Sequence, residues 1–169
     1  ALTVRDTIAV SLERHIEVRD PVAAALNLPV VKDSERLIAE RVDELIELMG
    51  VGAFADKFVA ELSTGSRRIV DLGCALAHRP TVLLLDEPSS GIAQRETEVL
   101  APLLKAVQAW TGTSLLVIEH DMPLVASIAH RLVALEAGRT ICEGAPGEVL
   151  ADARVVASYL GTDEATIAR

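Results

Sequence analysis

The sequence predicts an α/β protein in which a mainly parallel sheet is flanked by helices and preceded by a helical subdomain. Three observations carry that prediction. The first third of the chain repeats its apolar residues at helical spacing. From Thr81 onward, short apolar runs alternate with helical stretches, the pattern of a parallel sheet. The first of those runs, Val82-Leu83-Leu84-Leu85, ends in two adjacent carboxylates, Asp86-Glu87, before Pro88. Desolvating an ionised carboxylate is expensive unless donors or a cation compensate. Two acids at the C-terminal end of a buried strand therefore point to a site, and ligands of open α/β sheets sit at such strand ends.

Residues 1–80 read as the helical subdomain, 81–152 as the α/β portion and 153–169 as a C-terminal tail. Thr3 is placed to cap a helix over Val4 to Leu12. Asp20-Pro21 opens a short helix that Asn27-Leu28-Pro29 closes. Asp33 or Ser34 caps a longer helix to about Met49, with Leu37, Ile38, Val42, Leu45, Ile46 and Met49 on one stripe and Gly50 as its stop. Leu62-Ser63-Thr64-Gly65-Ser66 opens a helix running to Ala77, halted by His78-Arg79-Pro80. Strand Val82 to Asp86 then leads to a helix from Gln94 to about Ala109. Gly112 separates that helix from a strand over Ser114 to Glu119. Met122 to Ala129 is helical. Leu132 to Glu136 and Arg139 to Cys142 form strands around Ala137-Gly138. Pro146 starts a short helix to Ala151, and Val155 to Tyr159 adds a last helical turn.

Bulk properties bound the function classes. The 169 residues fit one domain, and 50% of them are hydrophobic, enough for a sizeable core. Only 2% are aromatic, so packing rests on Leu, Val, Ile and Ala. A net charge of −9 repels phosphate backbones and argues against broad nucleic-acid binding, while leaving room for one phosphate ligand in a local field. No apolar run reaches the length of a membrane span, and the chain has no basic-then-apolar leader. Cys74 and Cys142 form no C-x-x-C and read as buried thiols in a reducing compartment. The start at Ala1, with no initiator Met, reads as a fragment or processed boundary.

Four features stand in a fixed order: Leu62-Ser63-Thr64-Gly65-Ser66 at a helix start, the strand ending in Asp86-Glu87, Pro88-Ser89-Ser90-Gly91-Ile92, and His120 after the next apolar strand. This order resembles the C-terminal part of an ATP-binding-cassette (ABC) ATPase domain, with its signature motif, Walker B strand, D-loop and switch histidine. The resemblance covers essentially the whole chain. It implies a partial P-loop NTPase fold from which the P-loop strand is absent. Val117-Ile118-Glu119-His120-Asp121-Met122 and the ending Val155-Val156-Ala157-Ser158-Tyr159-Leu160-Gly161 are similar to importers of branched-chain amino acids.

The resemblance assigns roles residue by residue. Asp86 would hold Mg²⁺ through water, and Glu87 would orient and polarise the attacking water. His120 would reach the γ-phosphate of ATP. Ser63 and Gly65 would contact the γ-phosphate of an ATP held by a second ATPase subunit. A hydroxyl and free N–H groups at a helix start suit an anion, although Ser63 is equally a plain N-cap. Ser89, Ser90 and Gly91 would form the D-loop along the subunit interface. The chain departs from the family's Leu-Ser-Gly-Gly-Gln at Thr64 and Ser66, and the Cβ added at Thr64 weakens or remodels that contact. It departs again at Ala93, where the family has aspartate. Arg67 and Arg68 either approach phosphate or lie on a solvated helix face. His15, His78 and His130 fall on helix surfaces or ends and carry no chemistry.

No G-x-x-x-x-G-K-[ST] occurs, and the only lysines, Lys32, Lys57 and Lys105, never follow a glycine. Phosphoryl transfer needs the P-loop backbone and lysine around the phosphates. The chain by itself is therefore predicted to be no ATPase. The missing strand would also leave an apolar sheet edge to be filled by another segment or by self-association. The leading reading is the C-terminal part of a transporter's ATP-binding subunit, paired with a second ATPase subunit and a membrane permease. Such a subunit is cytoplasmic and peripheral on the inner face of the cell membrane, touching the bilayer only through the permease. A non-catalytic partner lending Ser63 and Gly65 in trans, and a non-transport cassette ATPase, are the alternatives.

Overall fold

A capping box starts the chain: the Thr3 hydroxyl accepts the Asp6 N–H at 3.1 Å, and the Asp6 carboxylate accepts the Thr3 N–H at 3.2 Å. Those bonds to Thr3 hold the Asp6 carboxyl below the usual aspartate range. Helix α1 follows as Val4–Ser11. The computed structural model describes residues 1–13, 25–26, 28–91 and 94–159. The short helix expected from Asp20-Pro21, together with His15 and Ala93, lies outside the described residues.

Helix α2 spans Pro29–Leu48, so it begins four to five residues before the expected Asp33 or Ser34 cap. Pro29 opens this helix. Its missing N–H costs nothing in the first turn, where that donor has no intrahelical partner, and its fixed φ suits helix. Gly50, at φ 66°, ends α2 in the left-handed conformation that glycine takes without a Cβ penalty. One-turn 3₁₀ segments at Gly52–Phe54 and Val59–Glu61 carry the chain to α3, Thr64–Ala77.

Helices α1, α2 and α3 bury Val4, Ile8, Val42, Leu45, Ile46, Met49, Val70, Leu72 and Leu76. Gly73 lets α3 approach its neighbours closely. A Cβ there would stand 3.2 Å from Met49 Cγ and 3.7 Å from Ile8 Cδ1.

Strands β1, Val82–Asp86, and β2, Ser114–Ile118, pair in parallel, with Val82 opposite Ser114 and Asp86 opposite Ile118. Helix α4, Gln94–Thr111, connects them. It buries Leu100, Leu103, Leu104 and Val107, and Leu83 is the buried residue of β1. Arg41 of α2 stacks over the Trp110 ring at 4.4 Å, tying the helical portion to α4. Alternate residues of the two strands form the other sheet face. That face is apolar yet exposed, at 54% for Val82, 69% for Leu84, 61% for Leu116 and 60% for Ile118.

Thr113, just ahead of β2, is buried, and its hydroxyl donates to the Pro80 carbonyl at 2.7 Å. Thr113→Val keeps the shape and strands that carbonyl. The expected loss is about 1–3 kcal/mol, measured as a shift of the urea midpoint.

Residues 1–119 form one unit and residues 120–169 a second. In the second, α5 is Met122–Ile128, β3 is Leu132–Glu136, β4 is Arg139–Gly144, α6 is Pro146–Ala151 and α7 is Ala153–Tyr159. β3 and β4 make an antiparallel hairpin. Ala137 at φ 47° and Gly138 at φ 77° form its tip, as a tight hairpin turn requires. Ala134, Val149 and Val155 form its small core.

Two minor expectations are corrected. Cys74 and Cys142 are half-buried rather than fully buried, because each sits at the margin of its unit's core. Both thiols are pushed up, chiefly by burial, and for Cys142 also by neighbouring Asp152. His130 lies in the connection between α5 and β3 rather than on a helix, since α5 ends at Ile128.

Candidate functional site

The C-terminal end of β1 organises the site. Asp86 closes the strand and is exposed. Glu87 follows at φ 45°, a left-handed conformation costing a non-glycine residue roughly 1–2 kcal/mol. Its N–H donates to the Ile118 carbonyl at 2.8 Å, which extends the β1–β2 pairing by one bond. Its carbonyl accepts the Ser90 N–H at 3.0 Å, closing a turn over residues 87–90.

The rest of that turn is held from two sides. Arg68 of α3 donates from Nη1 to the Glu87 carbonyl at 2.8 Å and to the Pro88 carbonyl at 3.3 Å. The Ser89 N–H donates to Glu119 Oε1 at 2.7 Å, just beyond β2. Gly91, at φ 73°, continues the turn; a Cβ there would meet open space, so its requirement is conformational alone.

At the start of α3, the Ser63 hydroxyl accepts the Ser66 N–H at 3.1 Å and is 3.0 Å from the Ser66 hydroxyl. Ser63 is thus the helix N-cap in this chain, and Ser66 is drawn into the cap. Gly65 is buried and, with Ser66, lines an apolar groove of about 330 Å³ between α3, β1 and α4. Arg67 turns back on its own chain, donating to the carbonyls of Leu62 at 2.9 Å and Ala60 at 3.2 Å. It is neither aimed at a ligand nor a bare solvated cation. Arg68 grips the turn after β1.

The structure therefore brings Asp86, Glu87, Ser89, Ser90 and Gly91 together at one strand end, with Arg68 of α3 reaching the same turn. His120 is the first residue of the second unit, and Asp121 beside it caps α5 by accepting the Leu124 N–H at 2.9 Å. Sequence reasoning missed Glu119 as part of the site and did not foresee the reach of Arg68 to the turn after β1. The position of Glu119 at the end of an apolar strand, beside His120, is the signal that could have drawn attention to it.

Among the described residues, no cluster of three or more metal-ligating side chains occurs. Mg²⁺ takes one or two carboxylates and keeps several waters and phosphate oxygens. An exposed Asp86 at a strand end fits this demand. No G-x-x-x-x-G-K-[ST] stretch occurs in the 169 residues.

Solved structures share this fold. One is the ADP conformation of MJ1267, an ATP-binding cassette of an ABC transporter. It superposes with a TM-score of 0.72 at 24% identity, over 95% of this chain and 63% of that one. Another is cbiO1 from Clostridium perfringens, part of the transporter complex cbiONQ, with a TM-score of 0.73 at 24% identity, over 100% and 62% of the two chains.

Residues 3–90 match the model of the ABC transporter family, and residues 139–165 match that of the branched-chain amino acid ATP-binding cassette transporter. The chain belongs to the ABC transporter ATP-binding family. It is 29% identical over 160 residues to the high-affinity branched-chain amino acid transport ATP-binding protein BraF of Pseudomonas aeruginosa. It is 35% identical over 146 residues to the methionine import ATP-binding protein MetN of Rhizobium etli. Those alignments take in 95% and 85% of this chain but only 62% and 40% of the relatives. No helix among the described residues is long and apolar enough to cross a membrane.

Proposed function

We propose that this chain is the C-terminal part of a transporter's ATP-binding subunit, coupling ATP binding and hydrolysis to the import of branched-chain amino acids or similar small solutes. The observation that carries the reading is the Asp86-Glu87 pair at the C-terminal end of a parallel strand, in a chain of this family. The match of residues 139–165 to the branched-chain amino acid model supports the solute class. In this reading residues 1–80 are the helical subdomain, 81–152 the catalytic portion and 153–169 the tail.

Asp86 would hold Mg²⁺ through water, and the ion would supply charge neutralisation to the phosphates. Glu87 accepts a hydrogen bond from the attacking water and orients it toward the γ-phosphorus. His120 donates to a γ-phosphate oxygen. Ser63 and Gly65 serve the ATP of a second ATPase subunit, and Ser89 to Gly91 lie along that subunit's edge. The exposed face of Val82, Leu84, Leu116 and Ile118 is covered by the P-loop-bearing portion, whether that belongs to the same polypeptide or another. The assembly works against a membrane permease on the cytoplasmic face, and the chain meets the bilayer only through it.

The cradle of backbone donors and lysine that phosphoryl transfer requires has no counterpart in this sequence. The 169-residue chain alone is expected to show no turnover of saturating Mg·ATP in a phosphate-release assay. Turnover that Glu87→Gln abolishes would overturn this expectation. It would mean that the residues present already build a complete site.

A further inference from the structure

We propose that Arg68 and Glu119 are positioning residues for Glu87, clamping its turn from opposite sides so that a strained backbone aims the carboxylate; the role rests on the reading of Glu87 given above. Left-handed φ at a non-glycine residue persists only where the surroundings over-determine it. Nothing in the local sequence does so here. Glu87 has the Cβ penalty, and Pro88 restricts its predecessor toward extended conformations.

The clamp supplies what the local sequence lacks. In an extended chain successive carbonyls point to opposite sides. Here the Glu87 and Pro88 carbonyls converge on one guanidinium nitrogen, at 2.8 and 3.3 Å. That convergence is available only to a turned backbone, so the cation selects the turn. On the other side the Ser89 N–H meets the Glu119 carboxylate at 2.7 Å. A cation on two carbonyls and an anion on the next amide complement the turn's own dipoles, and such charge-assisted bonds are about twice as strong as neutral ones. Both grips come from outside the turn. Arg68 is held by α3, and Glu119 follows the strand whose Ile118 carbonyl takes the Glu87 N–H. The neighbouring arginine, Arg67, is committed to the Leu62 and Ala60 carbonyls and cannot substitute.

The test reads the turn first and the chemistry second. Amide hydrogen exchange of the chain is followed residue by residue by NMR. Glu119→Gln is expected to speed exchange at Ser89, and Arg68→Ala at Ser90, by about tenfold or more, the size set by losing a charge-assisted bond. Thr7 in α1 should be unmoved, which separates local release from unfolding, and Arg68→Lys should restore part of the protection. Unchanged rates across residues 87–90 in both variants would overturn the proposal.

In the ATPase assembly containing the chain, Arg68→Ala and Glu119→Gln are then expected to lower kcat about tenfold or more with KM for ATP unchanged. Arg68→Lys should recover part of the loss. Unaltered kcat in both, where Glu87→Gln is inactive, would overturn the positioning role and leave the reading of Glu87 standing. Full turnover with Glu87→Gln would instead overturn that reading, and the positioning role with it.

Discussion

Glu87→Gln in an assembly that supplies the P-loop should lower ATP turnover by about 10²–10⁴-fold, the range for removing a positioned acid–base group. Nucleotide binding should survive, because the amide keeps the size of the side chain and the backbone turn is held by other residues. Glu87 bonds through its N–H to Ile118 and through its carbonyl to Ser90 and Arg68, backbone contacts that the substitution leaves in place. Equilibrium binding of a labelled nucleotide beside steady-state phosphate release separates the two effects. A variant that retains turnover within a few-fold would remove Glu87 from the chemistry.

The second large effect lies in the helical core. Ile8 is fully buried, and its Cδ1 lies 3.7 Å from where a Cβ on Gly73 would stand. Ile8→Ala leaves a void between α1 and α3, and such truncations cost about 2–5 kcal/mol. Against a total stability of roughly 5–15 kcal/mol, that shift is easily read as a lower urea midpoint at constant slope. Gly73→Ala added to Ile8→Ala should recover about 1 kcal/mol. Alanine is the better helix former by about that amount, and its methyl enters the vacated space. In the parent chain the same methyl meets Met49 Cγ at 3.2 Å while Ile8 Cδ1, at 3.7 Å, fills the space into which the contact could relax, so Gly73→Ala alone gains less. The two substitutions are therefore expected to be non-additive in a double-mutant cycle. Strict additivity would show that Ile8 and Gly73 do not share a void.

Much of the backbone was legible because its signals are local. Thr3 and Ser63 accept N–H groups three residues on, so a cap can be read from one stretch of letters. Val82 to Asp86 is bounded by Pro80 and Pro88, and the strand falls where its apolar run does. The start of α2 was misplaced because proline carries opposite meanings at the two ends of a helix, and only the partners of the surrounding amides decide between them. The site was half legible. The strand-end acids stand out as two adjacent carboxylates closing an apolar run, and the structure leaves both exposed. The reach of Arg68 to carbonyls 19 and 20 residues away, and of Glu119 to an amide 30 residues back, depends on which elements lie side by side. Two adjacent arginines with different tasks look alike in a sequence. Ser66, which reads as a departure from the family's pattern, is part of the Ser63 cap, a role visible only once the helix start is built.

The bare side of the β1–β2 pair bears on handling the polypeptide. Val82, Leu84, Leu116 and Ile118 present an oily strip to water, and the formal charge of −9 is what opposes one copy sticking to another. Added salt screens that repulsion while leaving the strip intact. Purified stocks should therefore cloud sooner in concentrated salt than in dilute buffer, and co-production with whatever segment covers the strip is the natural remedy.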